Sequence, residues 1–262
     1  MSAGDGQAAL LQDALRKMVA AEGREVVSAP PFTAYLDRRN DLRYLNYAVP
    51  DAGACAPWDP EAIEALATAF AERGRVPRLE LVEPCWPGLV DALVHAGFTL
   101  EGRLAGMTCV PDDLQDAPAP ADVIVAVETP DTTDERIRAR LETQHAAFSA
   151  VADAAPVTAA DISRARTRSG GSVAAWGTGG ACLGAASWVG VRSGVSEVAG
   201  VGVREADRGR GIAGALTAAA ARRAFEAGAD LVFLTPGDDG AQRVYARAGF
   251  RERVRCVHIA RD

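Results

Sequence analysis

The stretch Ser196–Gly228, SEVAGVGVREADRGRGIAGALTAAAARRAFEAG, constrains the fold more than any other part of the chain. Its first part, Val198 to Val203, is β-branched and small, short enough for a buried strand. From Gly211 to Ala227 it is alanine-rich, with Ile212, Leu216 and Phe225, and Gly228 supplies a stop, so a helix is predicted. Between them lies Arg208-Gly209-Arg210-Gly211. A glycine loop opening a helix presents unpaired N–H groups at the positive end of the helix dipole, where phosphate oxygens bind. Arg204, Arg208 and Arg210 gather positive charge there, in a chain of formal net charge −7. The local physics predicts an anion, above all a diphosphate. The spacing is neither GxxxxGK(S/T) nor GxGxxG, which argues against a nucleotide-hydrolase loop and a dinucleotide fingerprint.

The wider pattern is more specific. Strand, Val203-x-x-x-x-Arg208-Gly209-x-Gly211-x-Ala213, small-residue helix and a second apolar strand Leu231–Leu234 together resemble the cofactor motif of GNAT-type N-acetyltransferases. That superfamily's Arg/Gln-x-x-Gly-x-Gly/Ala is matched by Arg208, Gly211 and Ala213. Downstream, Ala241-x-x-Val244-Tyr245-x-x-x-Gly249-Phe250 is similar to its second motif. The resemblance implies acetyl-CoA as acyl donor, with its pantetheine arm between two splayed strands. Val201 and Val203 would bond the pantetheine amides through their backbone. The N–H groups of Gly209, Arg210, Gly211, Ile212, Ala213 and Gly214 would hold the pyrophosphate, with Arg208 as anchor. The implied reaction is direct attack of an amine on the thioester, with the Val203 N–H as oxyanion donor. Tyr245 would protonate the leaving thiolate, and its ordinary pKa suits that task. Glu197, at the start of the central strand, is the candidate general base. Asp238 is the last cofactor-binding candidate, at a position where the family usually has Asn; as Asp it can cap a helix but cannot donate to pantetheine as an amide would.

The two halves end alike, in His95-Ala96-Gly97-Phe98 and Arg247-Ala248-Gly249-Phe250. Each is preceded by strand, connection, alanine-rich helix, strand and short helix. The order reads as an internal duplication. The first half carries Pro50-Asp51-Ala52-Gly53-Ala54-Cys55-Ala56-Pro57-Trp58 where the second has its glycine loop, and Leu93 in the tyrosine slot. It is therefore expected to be a degenerate copy without cofactor binding. The expected fold is mixed α/β (α+β): two tandem GNAT-like domains, each a mostly antiparallel sheet flanked by helices with a splayed strand pair. The expected boundaries are 1–112, a Pro/Asp-rich linker 113–120, and 121–262. In the first half, helices are expected over residues 8–22, Asp59–Arg73 and Trp86–Ala96, with strands at Glu25–Ser28, Leu42–Val49, Val76–Val82 and Thr99–Val110. Helices over Thr132–Phe148 and Thr158–Arg168 and a three-strand meander precede the glycine loop of the second.

Five scattered cysteines argue for thiols in the cytoplasm, against disulfide or zinc frameworks, and no metal is expected. Acidic balance argues against nucleic acid, and no apolar run reaches membrane-spanning length. Two readings stay open: an N-acyltransferase acting on a small-molecule or peptide amine, and a non-catalytic acyl-CoA-binding or interaction module. Acceptor, acyl chain length and homodimerisation are not fixed by any residue.

Overall fold

A computed structural model describes residues 3–20, 23–38, 41, 43–148 and 156–262. In chain order the elements begin with α1 (Ala3–Ala20), β1 (Glu25–Ala29), β2 (Phe32–Leu36), β3 (Tyr47–Pro50), α2 (Pro60–Ala71), β4 (Arg78–Val82), α3 (Leu89–His95) and β5 (Thr99–Cys109). They continue with β6 (Val123–Val127), α4 (Asp134–Phe148), α5 (Ala159–Thr167), β7 (Gly170–Gly177), β8 (Cys182–Val189) and β9 (Val195–Val203). The chain ends with α6 (Ile212–Glu226), β10 (Leu231–Leu234), α7 (Asp239–Arg247) and β11 (Arg251–Ala260). The class is mixed α/β, as expected.

The chain forms two compact units, Met1–Gly106 with Glu252–Asp262, and Met107–Arg251. In the first, β1, β2 and β3 run antiparallel, and β3 meets β4 in parallel at Ala48↔Leu79. The next neighbour of β4 is β11, antiparallel from Cys256↔Val82 to Ala260↔Arg78. Phe32, Phe70, Leu79, Leu89, Val257 and Ile259 are buried in one core cluster under α2 and α3. In the second unit β6, β7, β8 and β9 form an antiparallel meander, and β9 pairs in parallel with β10. Beyond β10 lie the last residues of β5, paired as Val232↔Cys109, Phe233↔Thr108 and Leu234↔Met107. Alanine lets α6 approach its sheet closely, and Ala215, Leu216, Ala218, Ala220, Ala221 and Ala224 are all buried there.

The first unit thus takes β11 from the second half, and the second unit takes the last residues of β5, Met107–Cys109, from the first half. This departs from the expected division at 112 and 121, which kept β5 and β11 with their own halves. The physical reason is that an apolar terminal strand pairs equally well with any open edge of matching register, and both halves end in one. Nor is 113–120 a loose spacer. Gln115 N–H donates to Ala248 O (3.1 Å), Arg222 pairs with Asp116 (2.7 Å), and a Cβ at Gly214 would meet Ala117 at 3.7 Å.

Smaller differences also have causes. The strand expected over Leu42–Val49 is a single 3-10 turn, Arg43–Leu45, followed by β3; Leu42 lies outside the described residues. Buried Asn46 accepts from Asp37 N–H (2.8 Å) and Arg75 Nε (3.3 Å), and such side-chain bonds favour a turn over a ladder. Strand β2 was not expected, because Pro30-Pro31 reads as a stop; here the pair forms the turn of the β1–β2 hairpin. Helix α3 starts at Leu89 rather than Trp86, after Gly88 at φ 75°. Helix α1 reaches back to Ala3, and Ala21 and Glu22 lie outside the described residues. The other predicted helices and strands agree to within a few residues, including α2 with its Asp59 cap and α5 with a capping box on Thr158.

Candidate functional site

The glycine-loop stretch places its residues around a fork. The parallel pairing of β9 with β10 runs Val195↔Leu231, Ser196↔Val232 and Glu197↔Phe233, and there it stops while β9 continues to Val203. Half-buried Glu197 therefore stands on the last paired rung. Beyond it β9 remains joined to β8, through Ala185↔Gly202 and Gly184↔Val203. Arg204 N–H donates to Leu183 O (2.9 Å), so Arg204 and Gly202 face β8. Alternation then turns the peptide groups of Val201 and Val203 toward the opened side.

The loop closes the fork at its far end. Gly209 and Gly211 adopt φ 77° and 88°, left-handed values that favour glycine, and a Cβ on either would meet nothing within 4 Å. Backbone twist rather than crowding requires them, and the loop's outer side is uncovered by protein. Gly211 is the N-cap of α6 and offers no side-chain acceptor. The first N–H groups of α6, those of Ile212, Ala213 and Gly214, have no intrahelical partner by helix geometry. Ile212 itself points into the core, 1% exposed. Arg208 folds back so that Nε donates to Val203 O (3.3 Å). Arg210 pairs with Asp207 and Asp122, each at 2.6 Å. An anion arriving here would compete with two carboxylates for that guanidinium.

On α7, Asp238 accepts from Ala241 N–H (2.7 Å), as a cap should. Tyr245, 8% exposed, has its phenol pushed up to about 12, first by burial and then by the Asp238 charge. This corrects the expectation of an ordinary phenol. Tyr245 stays protonated at neutral pH, yet full transfer of its proton to a thiolate of pKa near 8.5 runs uphill. Its suitable part is that of hydrogen-bond donor to developing negative charge. Asp238→Asn should lower the phenol pKa, since a neutral amide no longer opposes phenolate formation. Spectroscopic titration of phenolate absorbance checks this, and an unchanged value would remove Asp238 from Tyr245's surroundings.

Among the described residues, no group of three His, Cys, Asp or Glu side chains is placed to hold a metal, and no helix is long and apolar enough to cross a membrane. A buried network beside the fork has no signature in residue spacing or motif. Gln144 Nε2 on α4 donates to Gly200 O (2.8 Å), behind Arg140 and Glu128. Of the other aromatics, Trp176 lies under Arg136 (4.2 Å to the ring centroid), and Trp188 packs where a Gly171 side chain would sit. Phe148 is exposed at the end of α4, close to Gly202.

The acetyltransferase (GNAT) family model matches residues 137–250, spanning α4 to α7. A GCN5-related N-acetyltransferase from Kribbella flavida is similar over 97% of this chain and 95% of its own, at 34% identity and TM-score 0.79. The chain belongs to the GCN5-related N-acetyltransferase family. A GCN5-related N-acetyltransferase from Sphaerobacter thermophilus shares the fold at 20% identity (TM-score 0.65; 88% of this chain, 76% of that one). So does a tandem GNAT protein from the clavulanic acid biosynthesis pathway, at 17% identity (TM-score 0.60; 98% and 94%). A search of curated proteins finds no match.

Members of the GNAT family transfer acyl groups from acyl-CoA. The fork and uncapped helix of the second unit fit an acyl-CoA, and the same place in the first unit does not. There the start of α2 is occupied by the Asp59 carboxylate, which accepts from Glu61 N–H (2.9 Å). Trp58 stacks on Phe32 (6.1 Å) and meets Trp86 edge-on (6.2 Å). From α1, Gln12 accepts from Val82 N–H (2.8 Å) and Trp86 Nε1 (2.9 Å), while Arg16 donates to Pro50 O (3.1 Å). Helix α1 thereby ties the ends of β3 and β4 together where a GNAT fork would open.

Proposed function

We propose that the second unit transfers an acetyl group from acetyl-CoA to a primary amine by direct attack within a ternary complex. The observation that carries this reading is the fork of β9 from β10, ending at a left-handed glycine loop whose helix has no side-chain cap. In this reading Val201 and Val203 bond the pantetheine amides. The N–H groups from Gly209 to Gly214 hold the pyrophosphate, with Arg208 and Arg210 turning from their present partners to the phosphates. Asp238 caps α7 and contributes no donor to pantetheine. Glu197 takes a proton from the ammonium, directly or through water. The amine nitrogen bonds to the thioester carbonyl carbon, and the Val203 N–H donates to the oxyanion. As the carbon–sulfur bond breaks, the nitrogen gives up its second proton through water to the departing sulfur, which leaves as the thiol of coenzyme A under a hydrogen bond from Tyr245.

The acceptor is a small-molecule or peptide amine. The five cysteines stand as thiols rather than disulfides, in keeping with the cytoplasmic setting proposed here. The high phenol pKa of Tyr245 favours a second reading, a module that binds acyl-CoA without turnover. Thiol release from acetyl-CoA with a panel of polyamines, aminoglycosides and peptides separates the two. Release with any amine supports the enzyme, and Tyr245→Phe should then lower kcat by about 10–100-fold. Binding without release from any amine would leave the module reading; no binding at all would sink both.

A further inference from the structure

Strand β9 carries an extra residue in the middle of the fork. Its pairing with β8 passes from Ser187↔Ala199 to Ala185↔Gly202, so Gly200 and Val201 together face Ala186. Such a bulge shifts the alternation of the strand by one position. Without it, the peptide groups of Val201 and Val203 would turn toward β8 and those of Gly202 toward the opening. Gly200 itself sits at φ 63°, and a Cβ there would approach Gln144 Nε2 to 2.8 Å. Backbone twist and close approach both require glycine at this point.

The bulge is held from outside the sheet. Gln144 Nε2 donates to Gly200 O at 2.8 Å, and its Oε1 accepts from Arg140 Nη1 at 2.8 Å, which fixes the amide's orientation. Arg140 is 2% exposed, and its Nε and Nη2 donate to both oxygens of Glu128, at 2.9 and 3.0 Å. The guanidinium is therefore compensated and cannot rotate without breaking a bidentate pair. A continuous polar chain runs from the end of β6, through α4, to the one carbonyl that defines the bulge.

We propose that Gln144, locked by the buried Arg140–Glu128 pair, is a positioning residue for acyl transfer: it fixes the β9 bulge and so decides which peptide groups face the substrate. This rests on the acyl-transfer reading of the second unit. Gln144 touches no reacting atom and acts through the backbone of Gly200 to Val203.

Two substitutions separate positioning from packing. Gln144→Glu keeps shape and the bond from Arg140 but sets an oxygen against Gly200 O. Gln144→Met keeps volume and removes both bonds without repulsion. If Gln144 positions the bulge, the glutamate variant loses more rate, with kcat down about 100-fold, comparable to the effect of a misplacement of about 1 Å. Its KM for acetyl-CoA should change far less, because the pyrophosphate seat is untouched. Amide hydrogen exchange over Val198–Arg204 should quicken in the same variant. Activity relative to wild type should recover as pH falls, since the protonated carboxyl can again donate to Gly200 O. Greater rate loss in Gln144→Met, or unchanged exchange over Val198–Arg204 in Gln144→Glu, would overturn the proposal. Exchange needs no turnover: if the wild type proves inactive, the acyl-transfer reading fails by itself, and exchange still decides whether Gln144 holds the bulge.

Discussion

A Gly211→Glu variant should lose acetyl-CoA binding by at least about 100-fold, or about 2.7 kcal/mol, in calorimetric titration. Two effects act together there. Gly211 sits at φ 88°, where an L-residue costs about 1–2 kcal/mol. The new carboxylate also projects from the cap of α6 into the volume where phosphate oxygens would meet the first N–H groups of the helix. Strain and charge are separable, because a Cβ at Gly211 meets nothing within 4 Å. Gly211→Ala carries the strain alone. Both variants should melt a few degrees below wild type, and only the glutamate should lose binding beyond about tenfold. Wild-type affinity in Gly211→Glu would place the phosphates elsewhere and break the assignment of the loop. One equivalent bound per chain is expected, since Asp59 and α1 occupy the corresponding place in the first unit.

The second large effect concerns where the chain can be cut. A fragment 107–251 should fold cooperatively and bind acetyl-CoA, whereas the nearly equal fragment 121–262 should do neither. The first retains Met107–Cys109 against β10 and Gln115 against Ala248. The second exposes the outer edge of β10, a strand whose four residues are all buried, and carries β11 without its partner β4. Met107 is 2% exposed where it covers β10, and its loss alone forfeits roughly 1.5–3 kcal/mol. Against a typical total stability of about 5–15 kcal/mol, that loss together with the opened edge of β10 is decisive. Thermal melts by circular dichroism check it. Cooperative melting of 121–262 would show that the exchanged strands are dispensable.

Much of the fold is legible in the sequence alone. The Arg-Gly-x-Gly run, the alanine helix and the Leu231–Leu234 strand are local signals, and each element forms close to where its own residues demand. The degenerate first half was legible too, from Pro50 to Trp58. What stayed hidden was non-local. Whether β11 pairs with β4 or with a strand of its own half depends on which edge is open, and no periodicity records that. The Glu128–Arg140–Gln144 chain joins the end of β6, α4 and β9, and its members read singly as ordinary polar surface residues. Tyr245 was placed by its motif, but its raised pKa depends on burial and on Asp238, which only the fold brings to bear.

The placement of β11 in the first unit has a consequence for biosynthesis. A nascent chain usually completes its domains in the order they are made. Here the unit Met107–Arg251 has every strand of its sheet in hand before β11 is translated. The unit that begins the sequence must wait, with the edge of β4 exposed, until the last strand emerges. What is synthesised first is finished last: residues Met1–Gly106 stay one strand short until after Met107–Arg251 has all of its own.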